Sequence, residues 1–191
     1  LGLESINHSS ITKALPINGM IMKIETLVSE IHLPIYKFNI NIPNMMDIIE
    51  DYRNKNPISV NSNSHLKSWR SSWTTHKNDS RFLELINSTI EILIKINNDI
   101  FGEELKYTCH ELWAAQYDIG DYAERHYHYP LDWSVVYYVN AEKESSPIIF
   151  GENVEVYPEK DMMLIFPGWL NHRVPPTKGK RTVVAMNFYR L

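Results

Sequence analysis

After Gly102 the apolar residues stop recurring with the period of a helix. They alternate like those of strands from there to the C-terminus. Upstream of the switch, "SRFLELINSTIEILIKINNDIFG" (80–102) places Phe82, Leu85, Ile86, Thr89, Leu93, Ile96 and Ile100 on one stripe. Asp79 or Ser80 can cap this helix, and Gly102 can end it. Downstream, "KYTCHELWAAQYD" (106–118) alternates and "DWSVVYYVN" (132–140) is rich in Val and Tyr. "PIIF" (147–150), "VEVYP" (154–158), "MMLIFP" (162–167) and "RTVVAMNFYRL" (181–191) follow, most of them separated by Pro- or Gly-bearing breaks. Short strands at near-regular spacing after helices predict a mainly β fold. It is a β-sandwich or jelly roll with N-terminal α-helices packed on one sheet.

The N-terminal part is read in the same way. "HLPIYKFNI" (32–40) is a short β-prone run, and "NMMDIIEDYRNK" (44–55) has helical spacing with Asn44 as a candidate cap. The polar segment 56–79 reads as a loop, yet it carries Trp69, Arg70 and Trp73. Long loops holding large aromatics are either functional or cover a core edge. Residues 1–20 show little periodicity and are expected to be a disordered tail or an upstream extension, with Met20 or Met22 as candidate starts. A single domain is expected over 21–191, a length sufficient to bury a sizeable core.

Charge and cysteine content exclude several classes. A net charge of −4 with no Lys/Arg-rich block gives no nucleic-acid footprint. The greasiest run, "IEILIKINNDI", is broken by Lys95 and is too short to span a bilayer, so no membrane role is expected. Cys109 is the only cysteine, which makes a reducing, cytoplasmic setting the default.

Chemistry is concentrated in "RHYHYPLDWSVVYYVN" (125–140). With 8 His in 191 residues, chance alone supplies roughly 0.3 His-x-His pairs, so His126 and His128 are not a specific signal by themselves. On a strand, however, residues i and i+2 share a face, and Glu124 would share it as well. A third ligand has to come from elsewhere. His172 in "FPGWLNHRVPP" is the best placed, on the idea that strand ends of facing sheets meet at one mouth. His110 and His76 are weaker candidates. Arg181, nine residues further on, opens the last strand and points either outward or into the barrel, where only an anion would make it affordable.

The ordered set "YDIGDYAERHYH … WSVVYYVN … FP … HRVPP … RTVVAMNF" resembles the Fe(II)/2-oxoglutarate-dependent oxygenases. It is similar in particular to the prolyl-hydroxylase-like branch and its small uncharacterised relatives, over about Trp113 to Tyr189. The resemblance implies a double-stranded β-helix (jelly roll) with Fe(II) and 2-oxoglutarate as cofactors and ascorbate as reductant in vitro. His126, His128 and His172 would be the metal ligands. Arg181, Tyr138, Tyr117 and Ser134 would surround the co-substrate, and no role follows for Asn187. Trp69, Arg70 and Trp73 would be substrate-side candidates, for a small-molecule or peptide substrate. The implied activity couples oxidative decarboxylation of 2-oxoglutarate to oxidation of an unidentified substrate.

One departure stands out, because the family pattern is His-x-Asp and this chain has His128 at the second position. Three imidazoles can bind iron, zinc, copper or nickel, but they leave the full charge on the metal. Alternatively, His128 is not a ligand and Glu124 or water completes the shell. Two other readings stay open. One is a cupin-like three-histidine dioxygenase or isomerase that does not use 2-oxoglutarate. The other is a jelly-roll binding module without catalysis.

Overall fold

A computed structural model describes residues 9–17, 20–28, 34–60, 66–102 and 105–191. Contacts divide the chain into two compact units, Leu1–Leu33 and Pro34–Leu191. In the first, β1 (Ser9–Ile17) and β2 (Met20–Val28) pair antiparallel, from Ser9↔Val28 to Ile17↔Met20. Strand β1 therefore falls within the stretch read as a tail. Its order comes from a cross-strand ladder that no apolar period in 1–20 announces. Residues 1–8 and 18–19 lie outside the described residues.

The second unit holds β3 (Tyr36–Asn39), α1 (Met45–Lys55), β4 (Leu66–Lys67), β5 (Trp69–Arg70), α2 (Thr75–Asn78) and α3 (Leu83–Phe101). Then come β6 (Tyr107–Tyr117), β7 (Tyr122–His126), β8 (Trp133–Ala141), β9 (Ile148–Phe150) and β10 (Val154–Val156). The chain ends with β11 (Met162–Pro167), β12 (His172–Val174) and β13 (Arg181–Arg190). Two sheets form, in the orders β3-β11-β8-β13-β6-β5 and β10-β9-β12-β7-β4. Every strand pairing in them is antiparallel. The expected mainly β, double-stranded β-helix class is the one observed.

The helices cover the outer face of the six-stranded sheet. A 3-10 turn over Ser80–Phe82 leads into α3, and Asp79 caps it by accepting the backbone N–H of Arg81 at 3.1 Å. Gly102 ends α3 in the left-handed region (φ 68°), where a residue without Cβ is least strained. Of the expected stripe, Phe82, Leu85, Ile86, Thr89, Leu93 and Ile96 are buried. The side chain of Ile100 lies outside the described residues. Asn44 occupies the cap position of α1, but no side-chain bond caps that helix.

Strand alternation separates a helix-side core from an inter-sheet core. On β8, Val135, Tyr137 and Val139 pack with α1 and α3, whereas Ser134, Val136 and Tyr138 line a cavity between the sheets. On β13, Val184, Met186 and Phe188 go to the helices, and Arg181, Val183, Ala185 and Asn187 go to the cavity. The period of two read from the sequence thus decides which side chains can meet a ligand. Among the described residues, no helix is long and apolar enough to cross a membrane.

Candidate metal centre and its cavity

His126 ends β7 and His172 opens β12, and these two residues are direct register partners. The pair therefore comes from neighbouring strands of the five-stranded sheet, not from facing sheets as the sequence suggested. Their ring centroids lie 4.3 Å apart. Each ring is held by a backbone carbonyl two residues back: His126 Nδ1 by Glu124 O at 2.7 Å, His172 Nδ1 by Leu170 O at 2.9 Å. A carbonyl can only accept, so Nδ1 carries the proton and Nε2 is left as the ligand atom.

Glu124 does not share their face. The register slips between His172↔His126 and Val174↔Ala123, a bulge that sets three residues of β7 against two of β12. Ala123 and His126 consequently both line the cavity, and Glu124 is exposed. His128 lies beyond the end of β7 and is brought in by its own backbone, whose N–H donates to Gly168 O at 2.6 Å. A Cβ on Gly168 would stand 2.1 Å from Leu131 O, so only glycine permits this close approach. The His128 ring lies 5.1 Å from that of His126 and 5.2 Å from that of His172.

One ligand atom from each of the three histidines falls within 4.8 Å of the other two. This donor set fits one divalent transition-metal ion, with imidazole nitrogens converging and no carboxylate among them. Burial pushes the His172 imidazole down to about 3. The nearby His126 adds to the shift, and the bond to Leu170 O opposes it. His128 is likewise held well below its ordinary value, first by burial and then by His172 and His126. Both stay neutral, as a ligand must.

A pH dependence of stability follows. In the unfolded chain these imidazoles take up protons as pH falls through 6.5, whereas His172 in the folded, metal-free protein does so only near 3. The unfolded state thus binds more protons in that window, so stability is full above pH 6.5 and falls progressively toward pH 3. Denaturant melts in chelator across this range are expected to show the decline. Replacement of His172 by Leu is expected to make it shallower and to leave the part due to His128.

Asn187, for which the sequence indicated no role, joins His128 to the sheet. Its amide nitrogen donates to Glu111 Oε2 at 2.7 Å and sits 3.3 Å from His128 Nδ1, and its oxygen accepts from Ser134 Oγ at 2.8 Å. Ser134, expected beside the co-substrate, lines the cavity and also donates to Asn187 in this histidine network. The only sequence signal for Asn187 was a polar residue on the cavity parity of an apolar strand. Asn187→Ala leaves Glu111 and Ser134 without this partner and frees the His128 ring.

The cavity continues from the histidines as a space of about 280 Å³. Arg181 enters it from the start of β13, 3% exposed, with Nη1 donating to Ser146 O at 2.8 Å. Its guanidinium lies 4.5 Å from the centre of the Tyr117 ring. The Arg181 Nε is buried without a partner among the described residues, as expected of a group awaiting an acceptor. Burial pushes the Tyr138 hydroxyl up to about 12 against the pull of Arg181, and Tyr117 is raised for the same reason. Both phenols are therefore neutral donors beside a fixed cation.

The loop candidates divide by strand parity. Trp69 turns to the helix-side core, where its Nε1 donates to Asn56 O at 3.3 Å and Arg53 lies over its ring; it does not line the cavity. Arg70 and Trp73 do line it. Trp73 meets Trp113 edge-on at 4.4 Å, and Trp113 lies 5.9 Å from His128. His110 and His76 lie away from the cavity, His110 beside the Tyr189 hydroxyl at 3.0 Å.

No family model matches this sequence, and no curated protein matches it either. Solved structures do. A viral collagen prolyl hydroxylase from Paramecium Bursaria Chlorella virus-1, in its 2OG complex, superposes with TM-score 0.61 at 18% identity. The match covers 81% of this chain and 94% of that one. A Pseudomonas putida prolyl-4-hydroxylase gives TM-score 0.63 at 15% identity over 82% and 92% of the two chains. A Trichoplax adhaerens prolyl hydroxylase, solved with a hypoxia inducible factor peptide fragment, gives 0.60 at 17% identity over 81% and 83%. This chain has the two-sheet fold of 2OG-Fe(II) oxygenases with N-terminal helices.

Proposed function

We propose that the protein is a 2-oxoglutarate- and Fe(II)-dependent oxygenase of the prolyl-hydroxylase-like kind, in a subgroup with His-x-His in place of His-x-Asp. The observation that carries this is the pairing, in one cavity, of a three-histidine cluster with a buried arginine whose Nε has no partner among the described residues. A metal-only dioxygenase has no need of the second feature. His126, His128 and His172 hold the metal. Arg181 holds the far carboxylate of 2-oxoglutarate, with Tyr138 and Tyr117 as neutral donors beside it. When bound, Fe(II) and 2-oxoglutarate supply a dioxygen-dependent oxidation coupled to formation of succinate and carbon dioxide.

The chain's own contribution is binding, orientation and dryness. The two backbone-held rings present Nε2 without reorganisation. The inter-sheet wall of Tyr138, Phe166 and Val183 excludes water, which strengthens the Arg181–carboxylate attraction. Trp73 and Trp113 form the side along which a substrate reaches the histidines. The peptide fragment held by the Trichoplax adhaerens neighbour supports a peptide substrate here, with a small molecule as the other class.

The test is succinate formation under air with Fe(II), ascorbate and 2-oxoglutarate. Slow uncoupled turnover is expected, absent in His126→Ala. No succinate, together with no thermal shift from 2-oxoglutarate or its inert analogue N-oxalylglycine, overturns the reading. His128 in the aspartate position favours one second reading, a three-histidine metal dioxygenase or isomerase that ignores 2-oxoglutarate. Metal binding without any response to N-oxalylglycine would point to it.

A further inference from the structure

The cavity holds a second buried cation besides Arg181. Arg70 is 5% exposed and sits on β5 opposite Ala115 of β6, while Arg181 flanks the same β6 from β13 opposite Tyr117. Its guanidinium lies 3.8 Å from the centre of the Trp73 ring. Nη2 donates to Val60 O at 2.9 Å, and Nε is buried without a partner among the described residues. Arg70 lines the cavity, and no aspartate or glutamate does so among the described residues.

The charges decide what is missing. Arg125, the other arginine on the wall, is committed to Glu152 at 2.7 Å. The divalent metal and the 2-oxoglutarate dianion cancel, and three imidazoles add nothing. Arg181 and Arg70 then leave two positive units. Glu111 stands within electrostatic reach of Arg70 but is bonded to Asn187, so it offsets one unit from behind the wall. With Asp121 paired to Lys67 at 3.5 Å, one buried positive unit remains, and a buried charge without a counter-ion is costly. An aspartate at position 128 would have cancelled it; this chain has histidine.

We infer that Arg70 is a carboxylate-binding subsite for the prime substrate, which reaches the metal along Trp73 and Trp113 with its acidic group on the Arg70 guanidinium. A planar carboxylate matches the free edge of a guanidinium and restores neutrality. The contacts from Arg70 to Trp73, from Trp73 to Trp113 and from Trp113 to His128 mark the path. This inference rests on the oxygenase reading for the role of the carboxylate and for the charge count, whereas the buried Arg70 Nε in the cavity, without a partner among the described residues, stands without it.

The experiment loads the full chain with Zn(II) and N-oxalylglycine. It then titrates the twenty free L-amino acids and their primary amides, following tryptophan fluorescence from the Trp73–Trp113 pair. At least one acid is expected to bind roughly ten-fold or more tightly than its amide. Arg70→Gln is expected to erase that preference and Arg70→Lys to keep part of it, with N-oxalylglycine affinity unchanged in both. Equal binding of acids and amides, no binding of any acid, or a preference that survives Arg70→Gln overturns the inference. So does a loss of N-oxalylglycine affinity in Arg70→Gln as large as that in Arg181→Gln, which would assign Arg70 to the co-substrate. Failure of N-oxalylglycine to bind the wild-type protein sinks the oxygenase reading instead, and the acid–amide comparison still reads the subsite by itself.

Discussion

His172→Ala is expected to abolish measurable binding of one equivalent of Ni(II), Zn(II) or Fe(II), a loss exceeding a hundred-fold. Changing a residue behind a ligand already costs about 10–100-fold, and here a ligand itself is removed. His172 is 6% exposed and lies against Phe166 and Phe150 at 4.9 and 6.1 Å. Its removal leaves a hole against the two phenyl rings and strips Leu170 O of its partner. The metal-free protein is therefore also expected to lose about 1–3 kcal/mol. Two readouts separate these effects. The metal-induced rise in Tm disappears, whereas the Tm in chelator falls modestly. His128→Ala distinguishes the alternatives for the third position. If it binds metal as the wild type does, His128 is not a ligand. His128→Asp is expected to retain one metal and to cancel one unit of its charge.

The histidine cluster shows what a sequence carries and what it does not. The stripe on α3 and the parity of β8 and β13 are periodic, so burial of Leu85, Tyr137 and Val184 was legible from spacing. The side on which Arg181 falls follows from the same parity once Val184 and Met186 are assigned to the helices. The approach of His126 to His172 was legible only in outline. Spacing suggested a shared site, but the direct cross-strand pairing depends on which strands neighbour one another, a tertiary fact. The exposure of Glu124 follows from a bulge, which one inserted residue creates and no period signals. Asn187 and Glu111 acquire meaning only through three partners distant in sequence. Trp69 and Arg70 were read together because one polar segment, 56–79, carries both, yet neighbours on a two-residue strand take opposite faces.

Arg181→Gln is expected to weaken binding of 2-oxoglutarate or N-oxalylglycine to the metal-loaded protein by about 30-fold to several thousand-fold. Losing one partner of a buried, hydrogen-bonded charge pair costs roughly 2–5 kcal/mol. The substitution keeps an N–H donor for Ser146 O, so the local fold has a replacement for the 2.8 Å bond. What it removes is the charge and the planar fork beside Tyr117. The empty protein should therefore tolerate it, and melt no lower than wild type, because a buried cation with an unpartnered Nε is itself destabilising. Metal affinity in the absence of co-substrate should also be preserved, since Arg181 touches none of the three histidines. Arg181→Lys is expected to recover only part of the affinity, because an ammonium lacks the paired donors that match a carboxylate. Isothermal titration of N-oxalylglycine into the Zn(II) protein measures all three forms. Equal affinity across them would remove Arg181 from the co-substrate site. It would leave the histidine cluster as a metal centre whose second ligand is something other than a dicarboxylate.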